Sequence, residues 1–208
     1  QHMEIPRLGV KLELQLLIYT NIMLKQDGFG GNGGSSDTGN AGAGGLAWSS
    51  LNSTAPGASK QLAIEVVGGN GGATDSGRAG RGGDAIAEAV GRNANVLTVR
   101  LRATGGDGGA GRSFASGAAG GDAYVRGVSY GYADAGSTDN ATVSGMARGG
   151  NGGSATGAGM TGGAGGSAGG SLLAGCEASP GRMKYACREW TLRSCTVRHP
   201  ATRDCART

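Results

Sequence analysis

Large side chains are scarce in this chain. Aromatic residues make up 4% of it, with two tryptophans and two phenylalanines in 208 residues. Hydrophobic residues reach 38%, but alanine and valine supply much of that. Each buried alanine removes little apolar surface, at about 25 cal/mol per Å². An ordinary globular core is therefore excluded. Histidine is nearly missing: His2 and His199 stand near the two ends, and every cysteine lies in the last stretch, at Cys176, Cys187, Cys195 and Cys205. The body between has no clustered carboxylate pair either. Enzyme chemistry needs convergent titratable groups, so we expect no enzyme, no cofactor and no metal site. No run of eighteen apolar residues exists, so no membrane-spanning helix is expected. The run Leu16–Leu24 (LLIYTNIML) is interrupted by Thr20 and Asn21. It lacks the small-residue cleavage site that follows a signal-peptide core. No glycine is followed by lysine, which excludes a Walker phosphate loop. Glycines recur throughout instead of opening one helix, which excludes a dinucleotide fingerprint.

What the chain has is glycine, 46 residues of it, in a repeat. GGNGG occurs at 30–34, 68–72 and 149–153, and GGDGG at 105–109. The central residues Asn32, Asn70, Asp107 and Asn151 are 38, 37 and 44 residues apart. A second glycine block follows each, and such self-similarity marks a repeat architecture. Within each copy glycine falls on every third position, broken once, at Ser36, Thr74, Phe114 and Thr156. Period three belongs to neither helix nor strand but to the polyproline-II helix. That helix has no internal hydrogen bonds, so its amides must bond to neighbouring segments. The spacing predicts packed polyglycine-II segments with a glycine contact edge at Gly30, Gly33, Gly68, Gly71, Gly77, Gly80, Gly83, Gly105, Gly108, Gly117, Gly120, Gly150 and Gly153. A flexible linker, the competing reading, needs no such phase.

Between glycine blocks the period switches to two. In VLTVRLRAT, Leu97, Val99 and Leu101 share one face while Thr98, Arg100 and Arg102 share the other, a half-buried strand pattern. In DAYVRGVSYGYADA, Tyr124, Val128, Tyr130 and Tyr132 share one face, and Ala123, Gly127, Ser129, Gly131 and Ala133 the other. Paired strands around short turns read as hairpins. The expected fold is an all-β, irregular repeat: stacked β-hairpins alternating with polyglycine-II segments, solenoid-like or layered, with no substantial helix. One unit cannot bury its own face, but stacked units can. Val10, Leu12, Leu14 and Leu16 alternate with polar residues, which suits a leading strand or cap. The chain divides into an N-terminal segment, 1–27, a four-unit repeat domain, 28–171, and a basic cysteine-containing tail, 172–208.

The net charge of +4 belongs to that tail, where seven basic residues from Arg182 to Arg207 face three acids. Such a tail can bind an acidic polymer by charge alone; otherwise it is a soluble basic end. The four cysteines allow two disulfides in three pairings, or stand as free thiols. Asp84 and Asp122 follow GG in matching positions. One carboxylate per unit is thin for calcium, and turn capping is the alternative. RGG at 81–83 and 148–150 is too isolated, on a neutral body, for specific nucleic-acid binding. Asn52 and Asn140 stand in glycosylation sequons.

The GGNGG…GGAGG texture resembles bacterial secreted and surface repeat proteins, including the glycine-rich domains of mycobacterial surface proteins. The every-third glycine is similar to the snow flea antifreeze protein and to glycine-rich phage tail adhesins, both built on polyglycine-II bundles. The resemblance covers about residues 28–170 and implies packed polyglycine-II segments. The expectation is an extracellular or cell-surface structural repeat protein with itself as partner, in a filament or surface assembly. The alternative is a binding module. An adhesin would use exposed aromatics such as Trp48, Phe29 and Phe114. An ice-binding protein would show a regular Thr-x-Thr row, which is missing.

Overall fold

A computed structural model describes residues 21–54, 59–93, 96–133 and 141–178. It holds eight strands: β1 (Asn21–Phe29), β2 (Ala47–Ser53), β3 (Ser59–Val67), β4 (Ala85–Asn93), β5 (Val96–Thr104), β6 (Ala123–Ala133), β7 (Ala141–Arg148) and β8 (Ala168–Ala178). They form two sheets, ordered β1-β3-β5-β7 and β2-β4-β6-β8. The fold is all-β, repetitive and layered. Every pair is parallel and in register: Phe29 lies beside Val67, Val67 beside Thr104, and Thr104 beside Arg148.

The strand pairing is not the expected hairpin. Consecutive strands such as β2 and β3 lie in different sheets and share no ladder. Each strand pairs instead with its equivalent in the next unit. The reason is burial. A hairpin would leave all apolar faces of a unit on one sheet, uncovered, whereas placing its two strands in opposed sheets buries both inner faces at once. Identical neighbours then stack in register because a one-residue slip would turn every buried side chain outward.

Each unit is thus a flattened coil. The chain runs along the first sheet, continues as a first glycine leg, turns back, and returns as a second leg into the second sheet. Coil 1 has legs at 30–35 and 40–46, coil 2 at 68–73 and 78–84, coil 3 at 105–110 and 116–122, and coil 4 at 149–154 and 161–167. The break in the glycine period is the turn between legs. Ser36, Thr74, Gly111 and Ala155 are bridged in succession there. In coil 1 a hydroxyl closes the turn, the Gly39 amide donating to Ser36 Oγ (2.9 Å), and Thr74 Oγ1 of coil 2 ties the turn to its neighbour by donating to the Gly39 carbonyl (2.8 Å).

The core lies between the sheets and is asymmetric in size. The first sheet contributes Leu62, Ile64, Val66, Leu97, Val99 and Leu101; the second contributes mainly Ala47, Ala85, Ala87, Ala89, Ala123 and Val125. Large side chains on one face are met by small ones on the other, which interdigitates the layers without large residues on both. In β6 the small face holding Ala123, Gly127 and Ser129 turns inward, and Tyr124 is left outside. The alternation legible in β5 holds as expected, with Leu97, Val99 and Leu101 buried.

Candidate functional site: the glycine lattice and its polar ladders

Among the described residues the legs carry no backbone hydrogen bonds of their own. Their backbone bonds run to other legs or to the strand ends that lead into them, with a three-residue repeat. Written as repeating triplets, GGNGG holds three different jobs. The first glycine of each triplet donates forward to the next coil: Gly30 to the Val67 carbonyl, Gly33 to Asn70, Gly68 to Thr104 and Gly71 to Asp107, at 2.8–2.9 Å. The second bonds across the layers. Gly69 donates to the Gly45 carbonyl of the preceding coil (3.0 Å) and accepts from the Gly83 amide of its own coil (2.7 Å). Gly106 does the same with Gly83 and Gly121 (both 2.8 Å). The parallel strand ladders therefore run straight into a two-layer polyglycine lattice.

The third position is the one that carries a side chain, and it points out. Its amide would be left unpaired, and the side chain of the same position one coil earlier supplies the acceptor. Asn32 Oδ1 accepts from the Asn70 amide, Asn70 Oδ1 from Asp107, and Asp107 Oδ1 from Asn151, at 2.7–2.8 Å. A second ladder runs along the other leg: Asp84 Oδ1 accepts from the Asp122 amide (2.8 Å) and Asp122 Oδ1 from Ser167 (2.7 Å). Arg81 Nη2 donates to both carboxylates, at 2.9 and 3.0 Å. Asp84 and Asp122 thus hold backbone amides and one guanidinium. Among the described residues, no group of three or more His, Cys, Asp or Glu side chains gathers that could hold a metal ion.

The glycines named from period three fall into three settings. At Gly30, Gly33, Gly68, Gly71, Gly105 and Gly108 a Cβ would overlap a carbonyl of the second leg of the same coil. At Gly77, Gly80, Gly83, Gly150 and Gly153 it would overlap a carbonyl of the preceding coil. At Gly117 and Gly120 it would overlap carbonyls of the following one, Gly153 and Gly150. In the first legs of coils 2, 3 and 4, two positions in each triplet face a neighbouring backbone, not one. The doubled GG in each motif was the signal for this second edge, and counting every third glycine followed one edge in coil 1 and the other in coil 4.

The remaining candidates do not converge. Phe29 and Phe114 are exposed, the first at the end of β1 and the second at a turn. Trp48 lies on the outer face of the second sheet, in register with Ile86 and Tyr124. Asn52 lies in β2. Cys176 falls in β8. The Val10–Leu16 strand, Asn140, Cys187, Cys195, Cys205 and the basic residues of the tail lie outside the described residues.

Sequence reasoning did not anticipate Lys60. It faces inward from β3 and is almost wholly buried. Its Nζ donates to the carbonyls of Arg92 (2.8 Å) and Ser53 (3.4 Å). Burial pushes the ammonium below its ordinary value of 10.5. The unfolded chain then holds the Lys60 proton more tightly, so stability rises with pH between the lowered folded value and 10.5. We expect the thermal midpoint of the wild type to gain on that of Lys60→Met across this alkaline window. Parallel pH profiles of the two proteins would contradict it. Lys25, an exposed residue, shifts the other way, held up chiefly by its hydrogen bond to Asp27 (2.9 Å).

No protein-family model and no curated protein matches the chain. Among solved structures, the nine-helix polyproline type II bundle of a springtail antifreeze protein from Granisotoma rainieri aligns with 62% of this chain and 94% of that one. The identity is 20% and the TM-score 0.24, a likeness too slight to carry an argument about fold or function.

Proposed function

We propose that this chain is a non-catalytic structural repeat protein that assembles with copies of itself, at the cell surface or outside the cell. The observation that carries the reading is the sameness of its coils. Each is joined to the next by one set of parallel, in-register contacts, and nothing in that set limits the number of coils. The first and last coils present backbone edges with groups that have no partner among the described residues, and such edges template further pairing. Electron microscopy of the purified chain across a concentration series tests this. Uniform filaments or sheets are the expected result, and dispersed particles at every concentration would overturn it.

A second reading is a binding module, either an adhesin or an ice-binding protein. It is favoured by the row of Trp48, Ile86 and Tyr124 on the outer face of the second sheet, where Trp48 and Tyr124 are exposed, Ile86 is half-buried and exposed Leu46 lies beside it. Thermal hysteresis in ice and adhesion to a surface are its assays. In either reading the charge of the basic tail suits an acidic polymer, the alternative being a soluble basic end.

A further inference from the structure

Gly31 and Gly34 are glycines that no other described residue requires. At the equivalent positions of the later coils, a Cβ would overlap the carbonyl oxygen of the coil before. Gly69 faces Gly31, Gly106 faces Gly69, and Gly150 faces Gly106; Gly72, Gly109 and Gly153 repeat this one triplet on. At Gly31 and Gly34 no described residue lies within 4 Å. Glycine is costly to order, and here its missing side chain makes room for nothing in the described residues.

The unpaired groups at the two ends of the stack are complementary. On coil 1 the amides of Gly31, Asn32 and Gly34 and the carbonyl of Asn32 have no partner among the described residues. On coil 4 the same holds for the carbonyls of Gly163 and Gly166, the Gly152 amide and Asn151 Oδ1. Inside the stack these positions are bonded to each other. Gly150 donates to Gly121 (2.9 Å), Gly153 to Ala118 (2.8 Å), Gly108 to Asn151 (2.8 Å), and the Asn151 amide to Asp107 Oδ1 (2.7 Å).

We propose, building on the self-assembly reading, that a second copy of this chain docks head to tail, its coil 4 continuing the lattice onto coil 1. The contact pairs Gly31 N–H with the Gly166 carbonyl, Gly34 N–H with Gly163, Asn32 N–H with Asn151 Oδ1, and Gly152 N–H with the Asn32 carbonyl. The second copy's Gly150 and Gly153 carbonyls occupy the space that Gly31 and Gly34 leave. Two coil 1 ends brought together would set donor against donor. The contact is therefore heterologous, and a heterologous contact generated by translation along the stack does not close. The product is a polar filament. Residues 1–20 are the competing occupant of the same edge.

Sedimentation and electron microscopy on three full-length proteins decide it: the wild type, Gly31→Val with Gly34→Val, and Ala43→Val. Position 43 corresponds to Arg81 in coil 2, where a long side chain is already accepted at the surface. The expected result is assembly by the wild type and by Ala43→Val. The double glycine variant should assemble only at about 100-fold higher concentration or more, with its thermal midpoint as a single chain unchanged. If it assembles like the wild type, copies meet elsewhere: this contact falls and the self-assembly reading stands. If the wild type never associates, that reading falls and takes the contact with it. A lowered midpoint in the double variant, as a single chain, would mean the edge is covered from within, which also overturns the proposal.

Discussion

Replacing Gly80 with valine is expected to destabilise the protein by about 3 kcal/mol or more, while Ala79→Ser changes it by less than about 1 kcal/mol. Gly80 is buried in the second leg of coil 2. It sits at the crossing of four backbone segments. Its amide donates to the Gly72 carbonyl of its own coil (2.9 Å), and its carbonyl accepts from Gly109 of the next (2.8 Å). A Cβ there would overlap the Gly42 carbonyl and crowd the Gly72 amide. None of these obstacles is the end of a side chain that could swing away. All are backbone atoms held by their own hydrogen bonds, so relief requires separating coils 1 and 2. That separation lengthens several bonds worth about 1 kcal/mol each, and leaves buried amides unpaired at a larger cost. Ala79, the next residue, already carries a methyl group and is half-buried. Chemical denaturation of the two variants beside the wild type measures the difference. Equal midpoints would mean the glycine lattice contributes nothing to stability.

How far this lattice could be read from the sequence depends on which property is local. The three-residue period is local, because it comes from one segment meeting a neighbour at every turn, and Gly30, Gly33, Gly68 and Gly71 display it directly. The place of each leg turn is local too, since the chain must leave the period there, at Ser36 and Thr74. Strand pairing is not local. A link of a few residues, such as the one after Ser53, can return a strand beside its predecessor or lead it to an opposite sheet, and both demand the same polar and glycine-rich residues. Only the register of one unit on the next decides, and that follows from packing the whole stack. The role of Asn32, Asn70, Asp107 and Asn151 was hidden for a related reason. Their position at the centre of each motif was plain. That each side chain replaces a missing backbone acceptor one coil away becomes visible only when the coils are aligned. Lys60 escaped because a single lysine in an alternating strand reads as a surface residue, and its buried end depends on carbonyls from β2 and β4.

The division of the core into a large-residue sheet and a small-residue sheet carries the second large effect. Leu62→Ala should cost about 2–5 kcal/mol. Leu62 is fully buried in β3, and the backbone of the second sheet cannot follow it inward, because the glycine legs fix the spacing of the two layers. The cavity therefore stays open, which places the cost toward the upper part of the range. The facing residue makes a sharper test. At Gly91, a Cβ would lie 3.0 Å from Leu62 Cδ1 and 3.0 and 3.1 Å from the Leu97 methyls. Alone, Gly91→Ala crowds these side chains and destabilises. In the Leu62→Ala background one of the two obstacles is gone and the added methyl fills part of the cavity. The double variant should then be more stable than the sum of the two changes implies, by about 0.5–3 kcal/mol of coupling. A four-protein denaturation cycle reads this out. Strict additivity would show that the small residues of β4 are not matched to the large ones of β3, and the asymmetric core would lose its explanation. Coupling of the expected sign would tie the alanines and glycines of the second sheet to the same requirement as those of the legs: two layers held at one distance by backbone contact, with side chains chosen to fit the gap.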